Sequence, residues 1–168
     1  VIIWRLSLLT LMGKETAGIY FASFAIASFP GSVFNNFVGQ IIVLNKNMKD
    51  LIKKTSFTIF FLAFFLLIVT LGAVETFLVK DNLYLFYKFT LISLMGTTIM
   101  LIALYSRHLI LSSGSKFQRR IFSSDVAYGI LIVPIIPIFY YLGGVNLVGF
   151  SYFASSIVAL LIYKNISK

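Results

Sequence analysis

The chain has 168 residues, of which 60% are hydrophobic and 11% charged, with a mean hydropathy of +0.99; soluble domains carry about 25% charge, so an ordinary soluble domain is excluded. Its 14 Lys and Arg against 5 Asp and Glu give a net charge of +9, but the basic residues sit on short stretches between apolar runs and form no single basic face. That placement argues against a nucleic-acid partner and for membrane topology signals, with anionic lipid headgroups as the nearest partners. Cysteine is absent and there is one His, so disulfides and thiolate chemistry are excluded, and a metal site is not expected.

The first apolar run, 1–12, is too short to cross a bilayer, which takes about 20 residues. Arg5 interrupts it and no cleavage signature follows, so it does not read as a signal peptide. It is expected to be a truncated first span of a longer protein. The second run, 17–44, is long enough to tilt. The third, 57–79, contains the unbroken stretch FTIFFLAFFLLIVTLGAV. The fourth is 83–105, with a possible continuation to Leu111. The fifth, 126–142, contains Pro134 and Pro137, which should bend it. The sixth is 145–163, reached through a tight turn at Gly143-Gly144. Continuous apolar runs of this length do not fit β-barrel strands, which are about 10 residues with strict alternation. The expected fold is therefore an all-α polytopic membrane protein, one six-helix bundle over 1–168. Tyr84, Phe86, Tyr87, Tyr140, Tyr141 and Tyr163 fall near the expected interfaces, where amphipathic rings settle.

The charge map orients these spans. One side holds Lys46, Lys49, Lys53 and Lys54, then Arg107, Lys116, Arg119 and Arg120, then Lys164 and Lys168. The other side holds Lys14, Lys80 and Lys88, and Arg5 lies within the first span. By the positive-inside rule the richer side is cytoplasmic, with both ends of the bundle inside. An odd number of spans would break the alternation.

Along the second span, Gly18, Ala22, Ala25, Ser28, Ser32, Asn36 and Gly39 recur at steps of three or four and share a face. Two readings compete: close packing of a neighbouring helix, or a polar cavity lined by Asn35, Asn36 and Gln40, since amides inside a membrane need partners. Pro30-Gly31 is expected to kink this helix and free backbone carbonyls. Arg5 lies roughly 10 Å below the end of its span at 1.5 Å per residue. An intramembrane Arg costs about 2.5–3.5 kcal/mol on insertion scales, so it reads as substrate-facing or as snorkelling. Its planar fork suits a phosphate. Lys88 opens the fourth span, where it either snorkels or meets substrate. Glu75 faces the outer vestibule or pairs with Lys80. Arg107-His108 marks the cytoplasmic interface, and the lone His is a candidate for a proton-coupled cycle. Asp125, beside Ser123-Ser124, reads as the N-cap of the fifth span.

The stretch Trp4-Arg5, Leu11-Met12-Gly13, Ala17-Gly18-Ile19-Tyr20, Ala22, Ala25 and Pro30 resembles the bacterial polysaccharide and O-antigen flippases of the multidrug/oligosaccharidyl-lipid/polysaccharide exporter superfamily. The six-span layout with both ends inside is similar to one half of that MATE-like transporter fold. The family's second repeat often opens with Asp-Arg, where this chain has Trp4-Arg5; because the sixth span ends a few residues before Lys168 the C-terminal half is expected, with the N-terminal half as the alternative and a second six-helix half as the partner in either case. It implies transport of a lipid-linked oligosaccharide across the bacterial inner membrane by alternating access, with Arg5 at the pyrophosphate and the polar face of the second span toward sugars. It implies no cofactor.

Other readings are a multidrug or small-molecule antiporter of the same superfamily, which would favour an acid deep in a span, and a non-transporting membrane scaffold subunit, in which Arg5 and Asn36 would be buried against protein. A membrane-embedded transferase is disfavoured. There is no nucleotide loop, nucleophile elbow, metal motif or paired-carboxylate motif, so an enzyme is not expected.

Overall fold

A computed structural model of the chain describes residues 2–44, 80–111 and 115–166, and these are helical apart from short breaks. Helix α1 (Ile2–Met12) is followed by α2 (Lys14–Val33), a π-helical turn at Phe34–Val38 and α3 (Gly39–Leu44). Then come α4 (Lys80–Leu111), α5 (Ser115–Ile132), α6 (Ile135–Val148) and α7 (Phe150–Ile166). Three stretches are long and apolar enough to cross a membrane: Lys14–Ile41, Leu83–Leu111 and Arg119–Val148. The expected third span, 57–79, the Lys46–Lys54 cluster and Glu75 lie outside the described residues.

Helix α4 is the centre of the bundle, and it packs on α2 along one side and α7 along another. At 32 residues it is about 48 Å long. On the α2 side Tyr20 meets Phe89 edge-on with ring centroids 5.2 Å apart, Ala27 packs with Leu94, and Phe34 packs with Leu101, Leu104 and Leu109. The residue numbers rise together, so α2 and α4 run parallel. On the α7 side Gly149 lies against Phe89, Gly96 against Tyr152, and Ala103 and Ala159 share a cluster. Helices α4 and α7 are parallel as well.

The α1–α2 hairpin turns at Gly13, whose φ of 78° favours glycine. Past the turn, the Ala17 N–H donates to the Gly13 carbonyl at 3.0 Å. The second reversal is at Gly143-Gly144, where the helical dihedrals fail and Gly144 has φ 60°. This matches the expected turn, and it places Asp125 of α5 beside Tyr163 of α7.

Several expectations are corrected. The fifth helix does not begin at 126: no Gly or Pro interrupts 115–128, and α5 starts eleven residues earlier, at Ser115. Asp125 is therefore inside a helix and caps nothing. The helix breaks at Val133-Pro134, where proline disfavours the helical region for the residue before it. Pro137 sits in the first turn of α6, where a missing N–H is tolerated. Helix α2 continues through Pro30, and its irregularity comes one turn later, at the π turn. Of the rings expected at interfaces, Tyr163 and Phe86 are buried against the protein, 4% and 5% exposed.

Between α4 and α7 the contact is made by small residues. Ser93, Gly96, Thr97, Ala103, Gly149, Ser151, Ser155, Ser156 and Ala159 are all buried. This is the close-approach seam that the second span's small face suggested but does not supply. Gly18, Ala22, Ala25, Ser32 and Asn36 are exposed, and α2 instead buries Ala17, Tyr20, Ser23, Ala27 and Pro30.

Candidate functional site

The uncovered face of α2 has a cation at one end and amides at the other. At the Gly13 end, the Arg5 guanidinium sits 5.9 Å from the centroid of the Phe21 ring, within cation–π range. Arg5 itself is exposed. Gly18, Ala22, Ala25, Ser28, Ser32, Asn36 and Gln40 then follow along α2, all exposed except Ser28, which is half-buried. The Ser28 and Ser32 hydroxyls donate back to the carbonyls of Ala25 and Ser28 at 3.5 and 3.4 Å. Their hydrogen bonds thus stay within the helix while the face stays polar. Fifteen residues separate Phe21 from Asn36, about 22 Å along the axis. Arg5 and the amides therefore cannot bind the same small group.

The other sequence candidates separate by environment. Asn35 is exposed, yet its Oδ1 lies 3.2 Å from Nε2 of His108 on α4. Since a carboxamide oxygen can only accept, the proton of the ring is on Nε2. His108 is 6% exposed and packs across Gly39, whose Cβ, if present, would fall 2.6 Å from the ring's Cε1. Asn36 and Gln40 stay on the open face. Lys88 is half-buried and its Nζ donates to Asn146 Oδ1 at 3.0 Å. That bond ties α4 to the segment after the Gly143-Gly144 turn and satisfies one of the three ammonium donors. Replacing Asn146 by Ala should cost no more than about 1.5–3 kcal/mol in an unfolding measurement, the range for a hydrogen bond to a charged group.

Sequence reasoning missed a charged junction. Arg107 clasps Asp125 with two parallel bonds, Nε to Oδ1 at 3.1 Å and Nη2 to Oδ2 at 2.6 Å. The Tyr163 hydroxyl donates to Oδ1 at 2.6 Å. Three helices, α4, α5 and α7, meet at one carboxylate. The available signal was the continuous helical composition upstream of Asp125, which removes the reason to read it as a cap.

Compared with protein-family models, curated proteins and solved structures, the chain finds no match. The arrangement must therefore be judged on its own chemistry. Polar side chains in the middle of a membrane face protein or water, since lipid cannot satisfy them. Ser32, Asn36 and Gln40 form an exposed polar face on an apolar, span-length stretch.

Proposed function

We propose that this chain is one six-helix half of a membrane flippase that moves a lipid-linked oligosaccharide across the bacterial inner membrane by alternating access, with both ends of the bundle cytoplasmic. The observation that carries the reading is the uncovered α2 face, with Arg5 at one end and Asn36 and Gln40 at the other. A lipid-linked oligosaccharide is an elongated amphiphile with an anionic phosphate at the junction of lipid and sugar. A guanidinium suits the phosphate through its planar fork, and hydroxyls and amides set further along the helix suit a run of sugars. The second six-helix half, on this reading, closes the cavity across the open face.

The parallel course of α2 and α4 is compatible with the six-span topology, in which the apolar run 57–79 is the proposed third span. The charge alternation agrees: the Gly13 turn and the Gly143-Gly144 turn fall on the poorly charged side, while Arg107, Arg119 and Arg120 fall on the other. No step of this function makes or breaks a covalent bond.

The test is replacement of Arg5 in the intact transporter, scored by surface polysaccharide after expression is confirmed. Arg5→Ala should lower export about tenfold or more, the effect of losing a charge-assisted bond of about 1.5–3 kcal/mol. Arg5→Lys, which keeps the charge without the fork, should retain part of it. Full export in both variants would remove Arg5 from the substrate path.

A further inference from the structure

We propose that His108 is a proton-binding site that controls the packing of the π turn and α3 against α4. The inference does not depend on what the bundle transports.

The ring is held in its neutral form by three features. Nε2–H donates to Asn35 Oδ1 at 3.2 Å. Nδ1 is buried and has no hydrogen-bond partner among the described residues. Gly39 presses its backbone against the ring, leaving less room there than a methyl group needs. A neutral imidazole with one donor and one bare lone pair tolerates this niche. An imidazolium does not, because it carries two N–H donors and needs two acceptors. Asn35 supplies one acceptor. The second donor would be left buried and unsatisfied beside an unpaired charge, which is costly in a low-dielectric setting.

The charged groups around the ring offer no relief. On α4 the neighbour is Arg107, whose guanidinium is already engaged by Asp125 of α5. From the π turn and α3, the described side chains near the ring are Phe34 and Asn35, which do not titrate. Among the described residues, a proton arriving at Nδ1 therefore finds a like charge on one side and no carboxylate on the other. The relief has to come from movement.

The element placed to move is the π turn. It is the one described segment of the α2–α3 helix that departs from α-helical pairing: the Gly39 N–H bonds back to the Phe34 carbonyl, five residues earlier. Such turns repack into α-helix at small cost and recur at functional sites. Asn35 and Gly39, the two residues that grip His108, lie within it and at its end. Protonation at Nδ1 thus acts on the segment that sets where Asn36 and Gln40 point along the open face. His108 lies less than one helical turn from Leu111, the last described residue of α4.

The chain is well suited to a direct test, since it contains one His and no Cys. The full chain is labelled with nitrogen-15 histidine and placed in lipid bilayers. The two ring nitrogens are then followed by NMR between about pH 8 and pH 5, the range in which histidine ordinarily titrates. In parallel, spin labels at Ile41→Cys and Ile102→Cys, both exposed positions on α3 and α4, report the distance between these helices. Labels at Phe29→Cys and Met95→Cys, also exposed, report α2 against α4 about two to three turns away. At the upper pH the ring should show one protonated and one bare nitrogen. On acidification both should become protonated, and the 41–102 distance should lengthen at the same midpoint while the 29–95 distance holds. His108→Asn should abolish the pH response of the 41–102 pair. A ring that stays neutral throughout would overturn the proposal. So would a ring that titrates with no change in the 41–102 distance, or a distance change that persists in His108→Asn.

Discussion

Replacing Asp125 by Ala should destabilise the bundle by about 2–3 kcal/mol, and Arg107→Ala by a similar amount, when unfolding is followed in mixed micelles. The geometry is the best available for an ion pair, two parallel bonds between fork and carboxylate, with a third bond from Tyr163. Side-chain exposures of 25% for Arg107 and 33% for Asp125 place the pair between a surface bridge, which is worth little, and a fully buried one, whose disruption costs about 3–5 kcal/mol. The estimate is set below the buried range for that reason. The stronger check is the double variant. Once one partner is gone the other has nothing to lose, so Arg107→Ala with Asp125→Ala should cost less than the sum of the singles, by about 1–2 kcal/mol. Tyr163→Phe removes one bond and leaves the pair, and should cost about 1 kcal/mol. Additive single effects would mean that the two side chains act independently.

Gly96→Leu should separate α4 from α7, with Gly96→Ala already costing about 1–3 kcal/mol, the usual range for overpacking. A Cβ at Gly96 would stand 2.7 Å from Tyr152 Cδ1 and 3.2 Å from the Cα of Phe153. The ring could turn aside, but the backbone atom cannot move without taking α7 with it. Gly18→Ala provides the opposing case within the same chain. Nothing lies within 4 Å of a Cβ at Gly18, and Ala is favoured over Gly in a helix by about 0.8–1.0 kcal/mol. The same substitution should therefore destabilise at one glycine and stabilise at the other. A disulfide between Ala103→Cys and Ala159→Cys, two buried residues of one cluster, would follow the α4–α7 contact directly: it should form in the parent chain and be lost with Gly96→Leu.

The sequence made the helical class readable, along with the Gly13 and Gly143-Gly144 turns and the extension of the fourth helix to Leu111. Each of these rests on a local property: apolar length, glycine, or the absence of a helix breaker. Which faces meet was not readable. Helix α4 is apolar nearly all round, so its own pattern does not say which side takes α2 and which takes α7. The small residues of α2 were easy to see because they recur regularly, yet they lie on the open side. The small residues that do pack, among them Ser93, Gly96, Gly149 and Ser155, lie on two helices far apart in the chain, and nothing local pairs them. Asp125 was misread because the polar stretch before it resembles a loop in composition, although 115–124 contains neither Gly nor Pro. Of the five candidate binding residues, Arg5, Asn36 and Gln40 remain on the open face. Asn35 and Lys88 found protein partners, His108 and Asn146, that lie 73 and 58 residues away in the chain, and no local pattern could have named them.

The parallel arrangement of α2, α4 and α7 bears on how the protein is made. A hairpin can close as soon as its second helix is synthesised, but neighbours that run parallel must wait for the chain to go out and come back. Helix α2 is synthesised before α4, and α4 before α7, each with polar groups on the side its partner will later cover. Many of those groups are provided for in advance. Thr90, Thr97, Ser155 and Ser156 donate to carbonyls four residues earlier in their own helices, at 2.7, 3.0, 2.7 and 2.8 Å. Each such helix can stand alone in lipid with these hydroxyls already satisfied. Ser23 does the same with the Ile19 carbonyl at 2.8 Å, and shares its hydroxyl with Phe86 of α4 at 3.2 Å once α4 has arrived. Translation proceeds at ~5–20 residues per second, so α2 waits for several seconds before the end of α4 emerges. During that interval these internal bonds keep the unassembled helices from seeking other partners.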